Sequence, residues 1–545
     1  MNTHLNIPDR SSSRRARAAL AGLVALLASS LMIVTANPAQ AAYTQIEGSG
    51  STWSQGIVSQ WIADVDANGM KITYNGAGSS QGRKDFASNV TDFGITEIPY
   101  QGKDEYGAVD TAGGREFAYM PIVAGGTAFT YQVLVGGKPV KDLRLSGDTI
   151  AKIFTNQITN WNDPAITKDN NGRKLPSLTI VPVVRSDGSG TTAQFTAWLD
   201  KQFPSIWQPY FGKSGLTSYY PKKPGTKTIS AAGSDQVMNT ISSKQGNGSI
   251  GYVEYSYPVN KKYPVVKVLN KAGYFVEPTQ YNVAVALTKA QINTDASSQA
   301  YLTSILDGVY TSTDPRAYPL SSYSYMLLPT GAKDQRMTTS KRQTLTDFMF
   351  YSLCQGQSKA GPYGYSPLPL NLVQAGFDQL KKLSVADPAV DFKDRDVTKC
   401  NNPTFVAGDL SKNKLAEIAP QPPACDKVGA GPCGLETGKA PTTPEAAKNG
   451  KPTDGTAAPV ASAPSGAAPA AVDPETGVAA PTTADTTDTS QAAVAVPTEL
   501  VAGRAGDTKV FGALAALELL AIILAPGVGA VYFKRRARRR QGAWS

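Results

Sequence analysis

The sequence predicts an exported α/β protein. Three observations carry this. β-branched runs are followed by Gly/Ser/Thr turns and then by helices with one apolar face, and the unit recurs along the chain. A basic and then apolar leader opens the sequence. Four cysteines, an even number, fit an oxidising compartment.

Residues 1–41 read as a signal peptide. Arg10 to Arg17 supplies the charged start, Ala18 to Ala36 the apolar stretch, and Ala39-Gln40-Ala41 the small-x-small cleavage site, leaving Ala42 first. The pair Arg14-Arg15 lacks the apolar residues a twin-arginine signal carries next, so the general secretory route is favoured. No cysteine follows the apolar stretch, so this is not a lipoprotein leader.

Gly48-Ser49-Gly50-Ser51-Thr52-Trp53 reads as a turn opening a helix whose apolar face is Ile57, Val58, Trp61, Ile62 and Val65. Ile72-Thr73-Tyr74 reads as a short strand, and Asn75 to Gly82 as a second Gly/Ser turn entering a helix. Asp92 to Glu97 reads as a strand ending in a carboxylate. Leu178 to Val184 is apolar and β-branched, and Phe195, Trp198, Leu199 and Phe203 follow at helical spacing. Between them, Arg185-Ser186-Asp187-Gly188-Ser189-Gly190-Thr191-Thr192 must be a strand-to-helix turn.

That turn has the chemistry of an oxyanion cradle. Glycines admit backbone close to a ligand. The N–H groups at a helix start have no partner within the helix, and the dipole favours an anion there. Arg185 adds a forked, permanently charged donor, and Ser189, Thr191 and Thr192 add hydroxyls. One such turn is also what an ordinary capped helix looks like. Three of them, at 48–52, 78–82 and 188–192, suggest helix starts converging on one anion.

Composition narrows the function. The formal charge is +10, but ten of the 53 basic residues lie before position 42 or after 533, with Asp9 the one acid there. The span between holds 43 basic and 42 acidic residues, so no nucleic-acid partner is expected. The single histidine, His4, lies in the leader. Imidazole acid–base chemistry, Ser-His-Asp triads and histidine metal sites are therefore excluded from the mature chain. No cofactor and no metal are expected.

Taken in order, Gly-Ser-Gly-Ser-Thr-Trp (48–53), Tyr-Asn-Gly-Ala-Gly-Ser-Ser (74–80), Thr-Asp-Phe-Gly-Ile-Thr-Glu (91–97), Ile153-Phe154 with Trp161-Asn162-Asp163, Arg-Ser-Asp-Gly-Ser-Gly-Thr-Thr (185–192) and Gly251-Tyr252-Val253-Glu254-Tyr255 closely resemble the phosphate-binding receptor family of the phosphate-specific ABC importer. The resemblance covers roughly residues 45 to 385. It implies a two-lobed, periplasmic-binding-protein-like α/β fold of class II, with ligand clamped between the lobes. It implies a chain that crosses near Ala124 to Tyr131 and returns near Ala317 to Leu328. Lobe one is then 42–125 plus 318–395, and lobe two 126–317. Carried over position by position, the implied phosphate contacts are Thr52, Trp53, Ser79, Glu97, Arg185, Asp187, Ser189, Gly190 and Thr191. Trp53 stands where the family usually has phenylalanine, at a position read through its backbone N–H. Glu97 stands where the family usually has aspartate. A carboxylate in an anion site has a physical reason. It accepts the proton that phosphate carries at neutral pH, and it repels sulfate, which carries none.

Phe348, Phe350 and Leu353, then Leu372, Phe377, Leu380 and Leu383, mark two more packing helices. Residues 396–436 form a cysteine-containing extension. Cys354, Cys400, Cys425 and Cys433 allow three pairings, of which Cys354–Cys400, stapling the tail to lobe one, with a local Cys425–Cys433 loop is preferred. Residues 437–508 are rich in Ala, Pro and Thr and read as a disordered linker reaching about 50 Å on average. Val510 to Phe533 is long and apolar enough to span a membrane, interrupted by Glu518, with Pro526, Gly527 and Gly529 near its end. The basic block 534–545 puts that end in the cytoplasm and the lobes outside the cell.

The leading expectation is an extracellular, membrane-tethered phosphate receptor serving an ABC importer, and not an enzyme. A non-transport sensor, scavenger or adhesion protein is the alternative. A phosphatase is suggested only by Gly78-Ser79-Ser80-Gln81-Gly82, which matches Gly-x-Ser-x-Gly but has no histidine to activate Ser80.

Overall fold

The computed structural model describes residues 43–433, apart from 394, 396, 398, 399, 407, 408, 410, 411 and 432. The expected signal peptide, the linker at 437–508, the span at 510–533 with Glu518, and the basic tail lie outside the described residues. Among the described residues no helix is long and apolar enough to cross a membrane.

Eight strands form one sheet: β1 Ile46–Gly50, β2 Ile72–Asn75, β3 Phe93–Thr96, β4 Phe117–Tyr131, β5 Val181–Arg185, β6 Ile229–Ala231, β7 Ser249–Glu254 and β8 Ser321–Pro329. The helices that matter here are α1 Gln55–Asp66, α2 Ser79–Ala87, α3 Gly190–Gln202, α4 Gly233–Ser242, α5 Thr339–Leu353 and α6 Leu370–Leu380. The spatial order is β6-β5-β7-β4-β8-β3-β1-β2. The outer strands β1, β2 and β3 pair in parallel, as do β5, β6 and β7, while β4 and β8 join the two sets antiparallel.

The long β4 explains the two lobes. Phe117 to Gly126 pairs with β8, and Thr127 to Tyr131 pairs with β7. One strand therefore belongs to the first lobe over its first half and to the second lobe over its second. All but the first of its fifteen residues are buried, the mark of a strand covered on both faces.

Each lobe has its own aromatic and aliphatic centre. In the first, α1 buries Ile57, Val58, Trp61 and Val65, and Phe348 of α5 meets Phe93 of β3 at 6.5 Å between ring centres. In the second, Phe195 of α3 lies within 5.2 Å of Phe129, Phe154 and Tyr252. Truncating Phe195 to alanine would cost about 3–5 kcal/mol, the usual loss for a buried aromatic.

The turn expected at 48–52 differs in the structure. Gly48, Ser49 and Gly50 are strand residues of β1, and the turn is Ser51–Ser54. These glycines serve packing. A Cβ on Gly48 would stand 2.1 Å from the Phe93 ring, and Gly50, at φ 138°, lies against the carbonyl of Ile95.

Cys354 is joined to Cys400 and Cys425 to Cys433. The extension is held to the second lobe as well. Lys267 pairs with Asp426 at 2.7 Å, and Arg144 Nη1 donates to the carbonyl of Cys425 at 3.0 Å.

Candidate anion site between the lobes

The parallel strands set the site. In open α/β sheets, ligands bind beyond the carboxyl ends of the strands, where helices begin. Here β1, β5 and β6 run out into the turns before α1, α3 and α4, and Gly78 caps α2.

Glu97 follows directly on β3, with 1% of its surface exposed. Ser79 Oγ donates to its Oε2 at 2.6 Å and Ser324 Oγ, from β8, to its Oε1 at 2.8 Å. Burial pushes its carboxyl above the usual range, against the opposing pull of the Ser51, Ser79 and Ser324 hydroxyls and of Arg185. A carboxylate has about four acceptor positions, so two serine donors leave room for a further proton donor.

Arg185 ends β5 and is buried. Its Nε donates to Asp187 Oδ1 at 2.7 Å, and its Nη2 bonds Asp187 Oδ2. Its Nη1 donates to Ser234 Oγ at 3.3 Å. One edge of the guanidinium is thus fixed by Asp187, and the other faces α4. Asp187 also accepts from the N–H of Gly233 at 2.9 Å. Burial alone would raise the Asp187 carboxyl, but the Arg185 fork and the Gly233 N–H hold it below the usual range. Asp187 therefore orients Arg185, and neutralises part of its charge, before any ligand is considered.

The remaining predicted residues fall around this centre. Thr52 Oγ1 lies 3.1 Å from Ser234 Oγ, and the Ser234 N–H also donates to it, at 3.3 Å. Ser189 caps α3, accepting from the Thr192 N–H at 3.2 Å. Gly190 begins α3 so close to the other lobe that an added Cβ would stand 2.1 Å from Glu97 Oε2. Thr191 Oγ1 is buried without a hydrogen-bond partner among the described residues. Such a group is costly unless a ligand or water meets it. Trp53 sits differently from the expectation. Its N–H donates to Ser51 Oγ at 2.9 Å, because the Ser51 hydroxyl folds back over its own turn. Its indole is buried against Gly125 of β4.

The groups come from both lobes, and the lobes are in contact. Thr52 meets Ser234, the Ser80 N–H donates to the carbonyl of Gly188 at 3.0 Å, and Gln194 Nε2 donates to the carbonyl of Glu97 at 2.7 Å. An arginine, two carboxylates, hydroxyls and four helix starts gathered where the lobes meet have the chemistry to bind a small tetrahedral oxyanion that carries a proton. The hydroxyl of Ser80 accepts from Arg83 Nη2 at 3.4 Å.

Sequence reasoning missed Ser234, Ser324 and Gln194. Ser234 had a signal: Ala231-Ala232-Gly233-Ser234 before Val237, Met238 and Ile241 repeats the pattern of the other turns. Ser324 had none, because a serine within a buried strand reads like any other until its neighbour is known.

A model of the PBP superfamily domain matches residues 35–355. The phosphate-binding protein PstS of Xylella fastidiosa is 32% identical over 331 residues, covering 61% of this chain and 83% of that protein. The phosphate-binding protein PstS2 of Mycobacterium bovis is 30% identical over 331 residues, covering 60% and 83%. Among solved structures, a high-affinity periplasmic phosphate-binding protein bound with phosphate shares 19% identity, covering 61% of this chain and 92% of that one, at a TM-score of 0.48.

Proposed function

This chain belongs to the PstS phosphate-binding protein family within the PBP superfamily, and on that premise we propose that it is an extracellular receptor that binds inorganic phosphate between its lobes for uptake by an ABC importer. One observation carries the reading furthest. Helix starts from both lobes meet around the buried Arg185 and Glu97 and the Thr191 hydroxyl, which is buried without a partner among the described residues.

Phosphate enters with the lobes apart and is sealed in as they close. Arg185, held in one orientation by Asp187, presents the edge that carries Nη1, beside Ser234. The first-turn N–H groups of α3, with the Thr191 hydroxyl, donate to the ligand oxygens. Glu97 accepts the proton of the phosphate hydroxyl on an oxygen that already takes one serine bond. A fully ionised sulfate offers no such proton and meets a buried negative charge, so the site discriminates through an unmade bond and a repulsion. Thr52 and Trp53 shape the first-lobe wall, and Ser79 and Ser189 hold Glu97 and α3 in place.

The membrane tether is the further part of the proposal. Val510 to Phe533, after the linker at 437–508, would keep the receptor on the cell surface with residues 534–545 in the cytoplasm. The relatives are named as binding proteins, and with no histidine after His4 the chain has no imidazole base for hydrolysis. A secreted chain cut after about residue 500 tests tether and receptor together. It should appear in the medium and bind phosphate by calorimetry. Retention on salt-washed cells would remove the tether, and silence towards phosphate would remove the receptor.

A further inference from the structure

A short hairpin of the first lobe reaches across to the second at the edge of the anion site. Its strands are Gly102–Lys103 and Val109–Asp110. Asp104 shapes the tip, accepting from the N–H groups of Tyr106 at 3.0 Å and Ala108 at 2.8 Å. Its base is fixed by Asp110, which takes Arg83 Nε at 3.0 Å and Nη2 at 2.8 Å in a buried pair. Arg83 belongs to α2, whose first residue, Ser79, holds Glu97.

The tip touches residues 217–219 of the second lobe. Glu105 Oε1 accepts from Thr217 Oγ1 at 2.8 Å and from the N–H of Ser218. Tyr106 lies edge-on to Tyr219, ring centres 5.2 Å apart, yet keeps 76% of its surface exposed. The far side of this segment is the anion turn itself. The carbonyl of Ser218 accepts from the N–H of Ser189, the cap of α3, at 2.9 Å. Thr217 exchanges two bonds of 3.0 Å with Thr196 of α3. A cleft of about 520 Å³ between the lobes runs beside the hairpin, lined by Gln101 and Leu216 at this rim and by Glu97 and Gln194 deeper in.

From this we infer that Glu105 and Tyr106 form a clasp that holds the lobes shut and sets how long the ligand stays, without choosing the ligand. The inference rests on the receptor reading. Both clasp contacts cross between lobes, so both are lost on opening. A carboxylate taking two donors, one of them a backbone N–H, is a charge-assisted contact that strengthens away from water. It bonds the segment that carries the cap of α3, so Glu105 is a positioning residue for the closed site. Contacts made only in the closed state act on the dissociation rate, where most affinity differences arise.

The test uses the full chain in detergent, with Glu105→Gln, Tyr106→Ala and the double variant. Release of inorganic phosphate, followed by tryptophan fluorescence, should quicken about tenfold or more in the double variant, with association within about threefold of wild type. The phosphate-over-sulfate ratio should stay as in wild type, which separates a clasp from a ligand contact. A release rate within twofold of wild type overturns the clasp, and so does a changed selectivity. A second measurement needs no ligand. Spin labels at exposed Val90 in the first lobe and Val135 in the second report lobe separation. The double variant should shift the distances longer, and identical distributions overturn the proposal. If wild type binds no phosphate while the label distances shift, the receptor reading and the effect on ligand residence fail, and only the holding of the lobes together stands.

Discussion

Gly190→Ala is a perturbation that the closed arrangement forbids and the open one accepts. The added Cβ would stand 2.1 Å from Glu97 Oε2, 2.5 Å from Ser79 Oγ and 3.1 Å from Glu97 Cβ. Non-bonded atoms need about 1 Å more than the shorter two distances. Glu97 cannot swing aside cheaply, because both its oxygens are held by serines in a buried position. Residue 190 belongs to the second lobe and both obstacles to the first, so the strain is relieved by separating the lobes. Gly190 begins α3 without a positive φ, and alanine is the better helix former by up to about 1 kcal/mol. Separation forfeits the bonds from Thr52 to Ser234, Ser80 to Gly188 and Gln194 to Glu97, each worth about 1 kcal/mol. These three amount to about 3 kcal/mol, and the bonds of Glu105 to Thr217 and Ser218 are lost with them, so phosphate affinity should fall on the order of a hundredfold or more. Calorimetry with phosphate measures this, and thermal unfolding without ligand should give a midpoint within about 2 °C of wild type. Binding within threefold of wild type would refute the reasoning, since the lobes would then not close as the structure has them.

The other predictions use single side chains. Arg185→Lys keeps the charge but loses the fork that grips Asp187, and affinity should fall by about 1.5–3 kcal/mol in calorimetry with the fold intact. Glu97→Gln removes the repelling charge while keeping the shape, and competition binding should show phosphate-over-sulfate preference falling about tenfold or more. If Glu97→Gln leaves that preference untouched while Asp187→Asn abolishes it, Glu97 is not the proton acceptor. Glu277 stands beside the Lys267–Asp426 pair, and burial pushes its carboxyl from the ordinary 4.5 up to about 7, with Lys267 opposing and Asp426 adding. A raised folded-state value means that the stability it contributes is complete below the unfolded value and lost as pH rises through about 7. Denaturant unfolding of Glu277→Gln should therefore show a gain at pH 8 over pH 5, by at most about 3 kcal/mol.

What could be read from the sequence follows from how local each signal is. The turn at 185–192 announces itself because strand, glycines and helix are contiguous, and α3 starts at Gly190 as that pattern implies. The glycines at 48 and 50 misled. A strand that needs glycine to let Phe93 and Ile95 approach looks, in sequence, like a turn. Asp187 is an expected ligand contact through the family resemblance, and the sequence alone does not say which way its side chain or that of Arg185 points. The fold turns them onto each other because Gly233 brings an N–H to the same oxygen. The hairpin at 102–110 left no trace as a contact between lobes, since Glu105 and Ser218 are 113 residues apart.

Calorimetry of the chain with phosphate, arsenate and sulfate tests the central claim most directly. A buried site that pairs Arg185 and helix starts with the proton-accepting Glu97 predicts one phosphate per chain and similar binding of the equally protonated arsenate. It predicts sulfate weaker by more than about 1.4 kcal/mol, a factor of ten. Sulfate bound as tightly as phosphate, or no heat with any of the three, would contradict it.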